Sequence, residues 1–142
     1  HNLNLKCTNI TDVSALGNIY DLNLSFCTNI SDVSALGNVH TLDLRYCRNI
    51  LDVSALGNVH TLNLCDTNIA DVSALGNVHT LNLSSCTNFT DVSALGNVHE
   101  LDLENCKGIT DVSALGNVHT LDLRRCVIKD VSMLKNVSVL KL

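Results

Sequence analysis

The heptapeptide Asp-Val-Ser-Ala-Leu-Gly-Asn recurs along this chain, beginning at Asp12, Asp32, Asp52, Asp71, Asp91 and Asp111. A degraded copy, Asp-Val-Ser-Met-Leu-Lys-Asn, begins at Asp130, and successive copies are 19 or 20 residues apart. Self-similarity at such a period restricts a chain to architectures that stack one short unit many times, because a unit this small cannot bury its apolar face alone. A second phrase, Leu-x-Leu, falls between the copies at Leu22/Leu24, Leu42/Leu44, Leu62/Leu64, Leu81/Leu83, Leu101/Leu103 and Leu121/Leu123, with flanking examples at Leu3/Leu5 and Leu140/Leu142. Residues 1–142 read as one domain of about seven coils plus a terminal strand. The first coil starts in mid-strand, so the expectation is a piece of a longer array.

The period explains a composition that is otherwise odd. Aromatic residues make up only 3% of the chain, which would fill a globular core poorly but suits a stack whose coils bury small branched side chains against their neighbours. Of the 14 acids, seven are the Asp that opens each heptapeptide, and the other seven face nine Lys and Arg. No basic stripe or acidic tail results, so nucleic acid and membrane surfaces are poor partners. No apolar run approaches the ~20 residues of a membrane span. The cysteines number seven, an odd count, and most hold one recurrent place. That pattern predicts free thiols, and with them an intracellular, reducing compartment rather than a secreted one.

Residues Val39 to Asn58 show how one coil folds. Thr41-Leu42-Asp43-Leu44-Arg45 alternates with period two, which predicts a short strand with its leucines inward. Asn49 tolerates a turn. Asp52 followed by Val-Ser-Ala-Leu predicts an N-cap and one helical turn, and Gly57 with Asn58 predicts a left-handed stop. A coil of 20 residues leaves no room for a full helix, so the side opposite the strand is expected to be 3₁₀ or a single α-turn.

The pattern Val39-x-x-Leu42-x-Leu44-x-x-Cys47-x-x-Ile50 resembles the leucine-rich-repeat signature, in the variant with Cys where many members carry Asn. The near-identical copies also resemble the duplicated arrays of some bacteria, protists and large DNA viruses. The resemblance implies an α/β-type solenoid: a curved right-handed stack with a parallel sheet of about eight strands on the concave face, 3₁₀ or single helical turns on the convex face, and ligand recognition by the concave face. It implies no particular ligand. Three coils depart from the 20-residue pattern. Cys65 falls two residues early and is expected to turn outward, Cys7 is one residue out of register, and Cys126-Val127-Ile128 lacks the counterpart of Asn49.

Equal positions in successive coils should stack into columns roughly 4.8 Å apart. Cys27, Cys47, Cys86, Cys106 and Cys126 form one such column, expected to be small buried residues whose thiols satisfy bend carbonyls. No Cys-x-x-Cys pair or Cys/His cluster suggests a metal site. His1, His40, His60, His79, His99 and His119 form another, with Tyr20 and Ser138 in the remaining places; ligands from a single line do not close a coordination shell, so no metal is assigned. Serines of the Asp-Val-Ser runs lie opposite the strands and cannot join a His and an Asp in a triad. No Gly-rich phosphate loop is present. No catalytic residue and no cofactor is expected.

Differences between coils concentrate just after Leu-x-Leu, where the strands end. Phe26 and Tyr46 are neighbours there, flanked by Arg45 and Arg48, with Asp43 in the strand and Glu104, Arg124 and Arg125 further along. Aromatic and Arg side chains together are what binding hot spots favour. These eight residues are the candidate partner-binding site, and the expected function is non-catalytic protein interaction through the sheet and this strand-exit rim. The alternative is a structural element that associates end to end, as a homo-oligomer, through terminal coils that carry little polar capping.

Overall fold

Each Leu-x-Leu pair does become a strand. The computed structural model describes all 142 residues and contains eight three-residue strands: β1 (Asn2–Asn4), β2 (Asp21–Asn23), β3 (Thr41–Asp43), β4 (Thr61–Asn63), β5 (Thr80–Asn82), β6 (Glu100–Asp102), β7 (Thr120–Asp122) and β8 (Val139–Lys141). They form one parallel sheet in sequence order, β1 to β8. The register never slips, whatever the length of the coil between: Leu42 pairs with Leu62 across a 20-residue coil and Leu62 with Leu81 across a 19-residue one. Opposite the sheet run seven 3₁₀ turns, Ser14–Leu16 through Ser132–Leu134, and no α-helix.

Between the sheet and the turns lies one continuous core of 38 buried apolar residues. Coil three contributes a typical set, with Leu42, Leu44, Cys47, Ile50, Val53 and Leu56 each at most 2% exposed. Burying an aliphatic side chain of this kind stabilises by about 1.5–3 kcal/mol, so the columns supply most of what holds the coils together. Every buried side-chain nitrogen or oxygen has a hydrogen-bond partner.

The bends differ from the sequence-based expectation in three respects. The glycines that close the 3₁₀ turns are not left-handed: Gly57 has φ −62° and ψ −16°, and no glycine in the chain has positive φ. They are required by close approach instead. A Cβ at Gly57 would lie 2.4 Å from the carbonyl oxygen of Ala74 in the next coil, and one at Gly17 would lie 2.2 Å from that of Ala35. Asp52 does accept a backbone N–H, but from Ser54 at 2.8 Å, in an Asx turn one residue ahead of the 3₁₀ turn. The capping position itself is Val53, which has no side-chain cap bond.

The left-handed residue of each coil lies elsewhere, just past the strand. Cys7, Phe26, Tyr46, Asp66, Ser85, Asn105 and Arg125 all have φ between 56° and 64°. The kink keeps the inter-coil hydrogen-bond ladder running while the chain turns away. The N–H of Phe26 donates to the Arg45 carbonyl at 2.9 Å, and that of Tyr46 to the Cys65 carbonyl at 2.9 Å. Cys7 therefore occupies the kink rather than the thiol column, and Thr8 and Thr67 take the column places that Cys7 and Cys65 leave. Thr67 Oγ1 donates to the Leu64 carbonyl at 2.7 Å and lies 3.4 Å from Cys86 Sγ.

Candidate functional site

Three columns run the length of the stack, and their chemistry differs. The thiol column is structural. Cys47 Sγ donates to the Leu24 carbonyl at 3.1 Å, and Cys27, Cys86, Cys106 and Cys126 make the same bond to the preceding coil at 3.0–3.1 Å. Burial pushes the Cys47 thiol up to about 11 and that of Cys106 further still. A thiol held protonated by burial is a poor nucleophile and a poor metal ligand. All seven cysteines are free; Cys7 is exposed and Cys65 half-buried at the rim.

At the start of the strands the imidazoles stack. Ring centroids of His40, His60, His79, His99 and His119 follow one another at 4.6–4.7 Å, and Tyr20 continues the pile 4.4 Å from His40. Near-parallel rings present their nitrogens side by side rather than toward a common point. His40 Nδ1 and His79 Nδ1 instead lie 3.4 and 3.3 Å from the hydroxyls of Thr41 and Thr80. No group of three or more His, Cys, Asp or Glu side chains is arranged to hold a metal ion.

At the other end of the strands lies the rim. Asn or Asp at the last strand position accepts the N–H two residues on in every coil from Asn4 to Asp122, at 2.8–3.1 Å. Asp43 is thereby tied to the Arg45 backbone, and the Arg45 guanidinium also grips its carboxylate, Nη2 to Oδ2 at 2.6 Å. Arg48 makes a two-pronged bond to Asp66 at 2.8 Å. Arg124 spans Asp122 at 2.7 Å and Glu104 at 2.9 Å, with Arg125 3.7 Å from Glu104. These carboxylates raise the guanidinium pKa values of Arg45, Arg48 and Arg124 above the ordinary range, mainly through the side-chain hydrogen bond. At Asp122 burial pushes the carboxyl up, but the bonds from Arg124 outweigh it and the net shift is downward. Asp102 has no such side-chain partner, and burial leaves it raised. Solvent screens exposed pairs of this kind, so they orient the rim more than they stabilise it.

The eight candidate residues form two clusters along one edge. In the first, the Phe26 and Tyr46 rings stack at 4.4 Å with 14° between their planes, and Lys6 Nζ sits 5.4 Å from the Phe26 centroid. Asp43, Arg45 and Arg48 lie in the same coil as Tyr46, with Arg45 paired to Asp43 and Arg48 to Asp66 of the next coil. Arg124, Arg125 and Glu104 make the second cluster, with Asp122 and Lys141 beside it. The sequence reading missed Lys6, Asp66 and Asp122. For Asp66 the signal is its column: it stands three residues past Asn63, as Tyr46 does past Asp43, which puts an acid at the kink beside Arg48. On the turn face, the spaces between coils are shallow clefts of about 220–280 Å³ that repeat with the period, each lined by Asp and Ser such as Asp32, Ser34, Asp52 and Ser54.

A parallel sheet built one strand per coil, with 3₁₀ turns opposite, defines a leucine-rich-repeat solenoid. No protein-family model and no curated protein matches the sequence, but solved structures match the fold. An internalin (inlF) from Listeria monocytogenes is similar with a TM-score of 0.78 and 27% identity, over 98% of this chain and 45% of that one. Internalin C2 (inlC2) from the same organism gives 0.74 and 29%, over 97% and 69%. The functional domain of InlJ from Listeria monocytogenes, described as including a cysteine ladder, gives 0.52 and 18%, over 99% and 43%, a likeness of fold alone. The chain thus spans less than half the length of the first of these proteins.

Proposed function

We propose that this chain is a non-catalytic protein-interaction module whose partner docks on the sheet face and the strand-exit rim, centred on Phe26 and Tyr46. One observation carries the reading. Both aromatics sit in the left-handed conformation, φ 62° and 64°, at a column where the other coils use Cys7, Asp66, Ser85, Asn105 and Arg125. That conformation costs a residue with a bulky side chain about 1–2 kcal/mol, and Asn or Asp less. The ring stack returns only about 0.5–1.5 kcal/mol for the pair. Two large rings at this place therefore do not serve stability best; the kink itself recurs in every coil, and what sets this pair apart is the aromatic side chains placed on it. The interaction reading is further supported by the likeness to internalins.

The double variant Phe26→Asn/Tyr46→Asn separates binding from folding. Its urea midpoint should equal or exceed the parent's, while the proteins captured by the parent chain and identified by mass spectrometry are lost. Loss of stability together with unchanged capture would sink the proposal. A second reading, association end to end, draws on Leu3, Leu5 and Leu16, which are only partly covered, and on Leu142, which is 68% exposed. The intracellular placement is also a proposal, and rests on the seven unpaired thiols.

A further inference from the structure

We infer that Asp102 is where the partner sets a cation: a guanidinium or ammonium group of a basic peptide segment docks against its carboxylate on the sheet face. This rests on the docking reading above and names the chemistry of what docks. The observation is a charge that the chain leaves uncovered. In four of the first seven strands the last position is asparagine, as at Asn63 and Asn82, and carries no charge. In the other three it is aspartate. The Asp43 carboxylate is gripped by Arg45, whose Nε and Nη2 donate to Oδ2 at 2.9 and 2.6 Å. That of Asp122 is bonded by Arg124 at 2.7 Å, with Lys141 3.5 Å away. Asp102 has neither. Its Oδ1 accepts the N–H of Glu104 at 2.9 Å, and no ion pair of the chain includes it.

The residue two places on is what denies Asp102 a cation. Coils three and seven carry Arg45 and Arg124 there, whereas coil six carries Glu104. The Arg124 guanidinium is already held by Asp122 and Glu104. Burial raises the Asp102 pKa, the Glu104 N–H offsets part of that, and the like charges of Asp122 and Glu104 add to the rise. A half-buried carboxylate without a cation is costly, and the two equivalent coils show which group satisfies it. The approach is open. On the coil-five side stand Asn82, opposite Asp102 in the sheet register, and Ser84, both short and bonded to each other at 2.7 Å. Glu100, exposed on the same face of the strand, adds a second negative charge with no ion-pair partner. Asp102 lies three coils from Tyr46, roughly 14 Å along the stack at about 4.8 Å per strand, so one partner of ordinary footprint covers both.

The probe is a phage-displayed library of random linear dodecapeptides, selected on the immobilised full chain. Peptides selected by the parent should be enriched in Arg and Lys. Selection on Asp102→Asn should lose that enrichment, and parent-selected peptides should bind this variant at least about tenfold more weakly. Asparagine at this column makes the same bond to the N–H two residues on, as Asn63 and Asn82 do, so the variant should unfold at the parent's urea midpoint or above it. Asp111→Asn removes one negative charge from the turn face of the same coil and should bind the selected peptides as the parent does. Equal weakening by both variants would assign the preference to net charge and overturn the inference. So would basic peptides that bind Asp102→Asn undiminished, or a midpoint for that variant well below the parent's, which would give the carboxylate a structural role. Parent-selected peptides that lack basic residues, yet are lost in Phe26→Asn/Tyr46→Asn, would overturn the inference and leave the docking reading standing. A parent that selects no peptide would overturn both.

Discussion

Replacing Gly57 by alanine sets two effects of opposite sign against each other, and the structure gives a magnitude for each. Gly57 is in the right-handed region, φ −62° and ψ −16°, where alanine stabilises by restricting the unfolded chain, by about 0.4–1 kcal/mol. Against this, the new Cβ starts 2.4 Å from the Ala74 carbonyl oxygen, about 1 Å inside ordinary contact. The two coils must part locally or the turn must shift. Overpacking of this kind costs about 1–3 kcal/mol and occasionally more. Packing wins, and the expected net loss is about 1–2 kcal/mol, a fall of roughly 0.5–1 M in the urea midpoint for an m-value near 2 kcal/mol/M. Gly57→Asn decides between close approach and a left-handed stop. At a left-handed position asparagine is tolerated, whereas here it carries the same Cβ and should be no better than alanine. A midpoint for Gly57→Ala equal to or above the parent's would refute the close-approach reasoning. So would an asparagine variant that unfolds at the parent's midpoint while alanine does not.

The Asp column makes the fold acid-sensitive. Asp12, Asp32, Asp52, Asp71, Asp91, Asp111 and Asp130 are all held below the ordinary carboxylate range by the backbone N–H, and then the hydroxyl, of the serine two residues on. A depressed folded pKa contributes stability that is complete above the unfolded value and is lost as pH falls through the folded one. The urea midpoint should hold near neutrality and drop below about pH 4, less steeply in Asp52→Asn/Asp71→Asn; a flat profile down to pH 2 would contradict the Asx-turn assignment. Thiol labelling under native conditions should modify Cys7 and Cys65 first and spare Cys47 and Cys106, and reaction of all seven at one rate would mean that the thiol column is not buried. Leu64→Ala should cost about 2–5 kcal/mol as a core cavity, and a loss below 1 kcal/mol would place Leu64 outside the packed interior.

Much of the fold is legible in the sequence because each coil repeats the same physical instruction. Leu42 and Leu44 alternate with polar residues and can only be a strand, and the 20-residue period leaves room for nothing longer than a 3₁₀ turn opposite it. Cys47 reads as buried because it recurs where a bend carbonyl needs a small donor. The rim is harder. Ser85, Asn105 and Asp66 are residues that tolerate left-handed backbone, but Phe26, Tyr46 and Arg125 share their column and mask the signal. Glycine is ambiguous by nature, since it permits positive φ and close approach alike, and only the distance to the neighbouring coil separates the two. The candidate charges could be named from sequence, but not their pairing. Arg48 meets Asp66 because the kink of the next coil, three residues past Asn63, carries an acid. Arg124 reaches Glu104 across 20 residues of chain, a contact that exists once the coils are stacked.

The indifference of strand register to coil length has a consequence for how such a gene changes. Leu42 pairs with Leu62, and Leu62 with Leu81, although one intervening coil is a residue shorter. Unequal recombination between near-identical copies would join coils of either length without disturbing a strand. The product would keep the turns, the core and the inter-coil glycine contacts, which every copy but the seventh supplies in the same form. What recombination would shuffle is the order of side chains along the strand-exit rim. Phe26 beside Tyr46, or Arg48 beside Asp66, is a juxtaposition of neighbouring coils, so a single crossover could dissolve or recreate it in one step. Binding surfaces of this type can thus diversify by rearranging intact coils rather than by accumulating point mutations, with the core never exposed to the search.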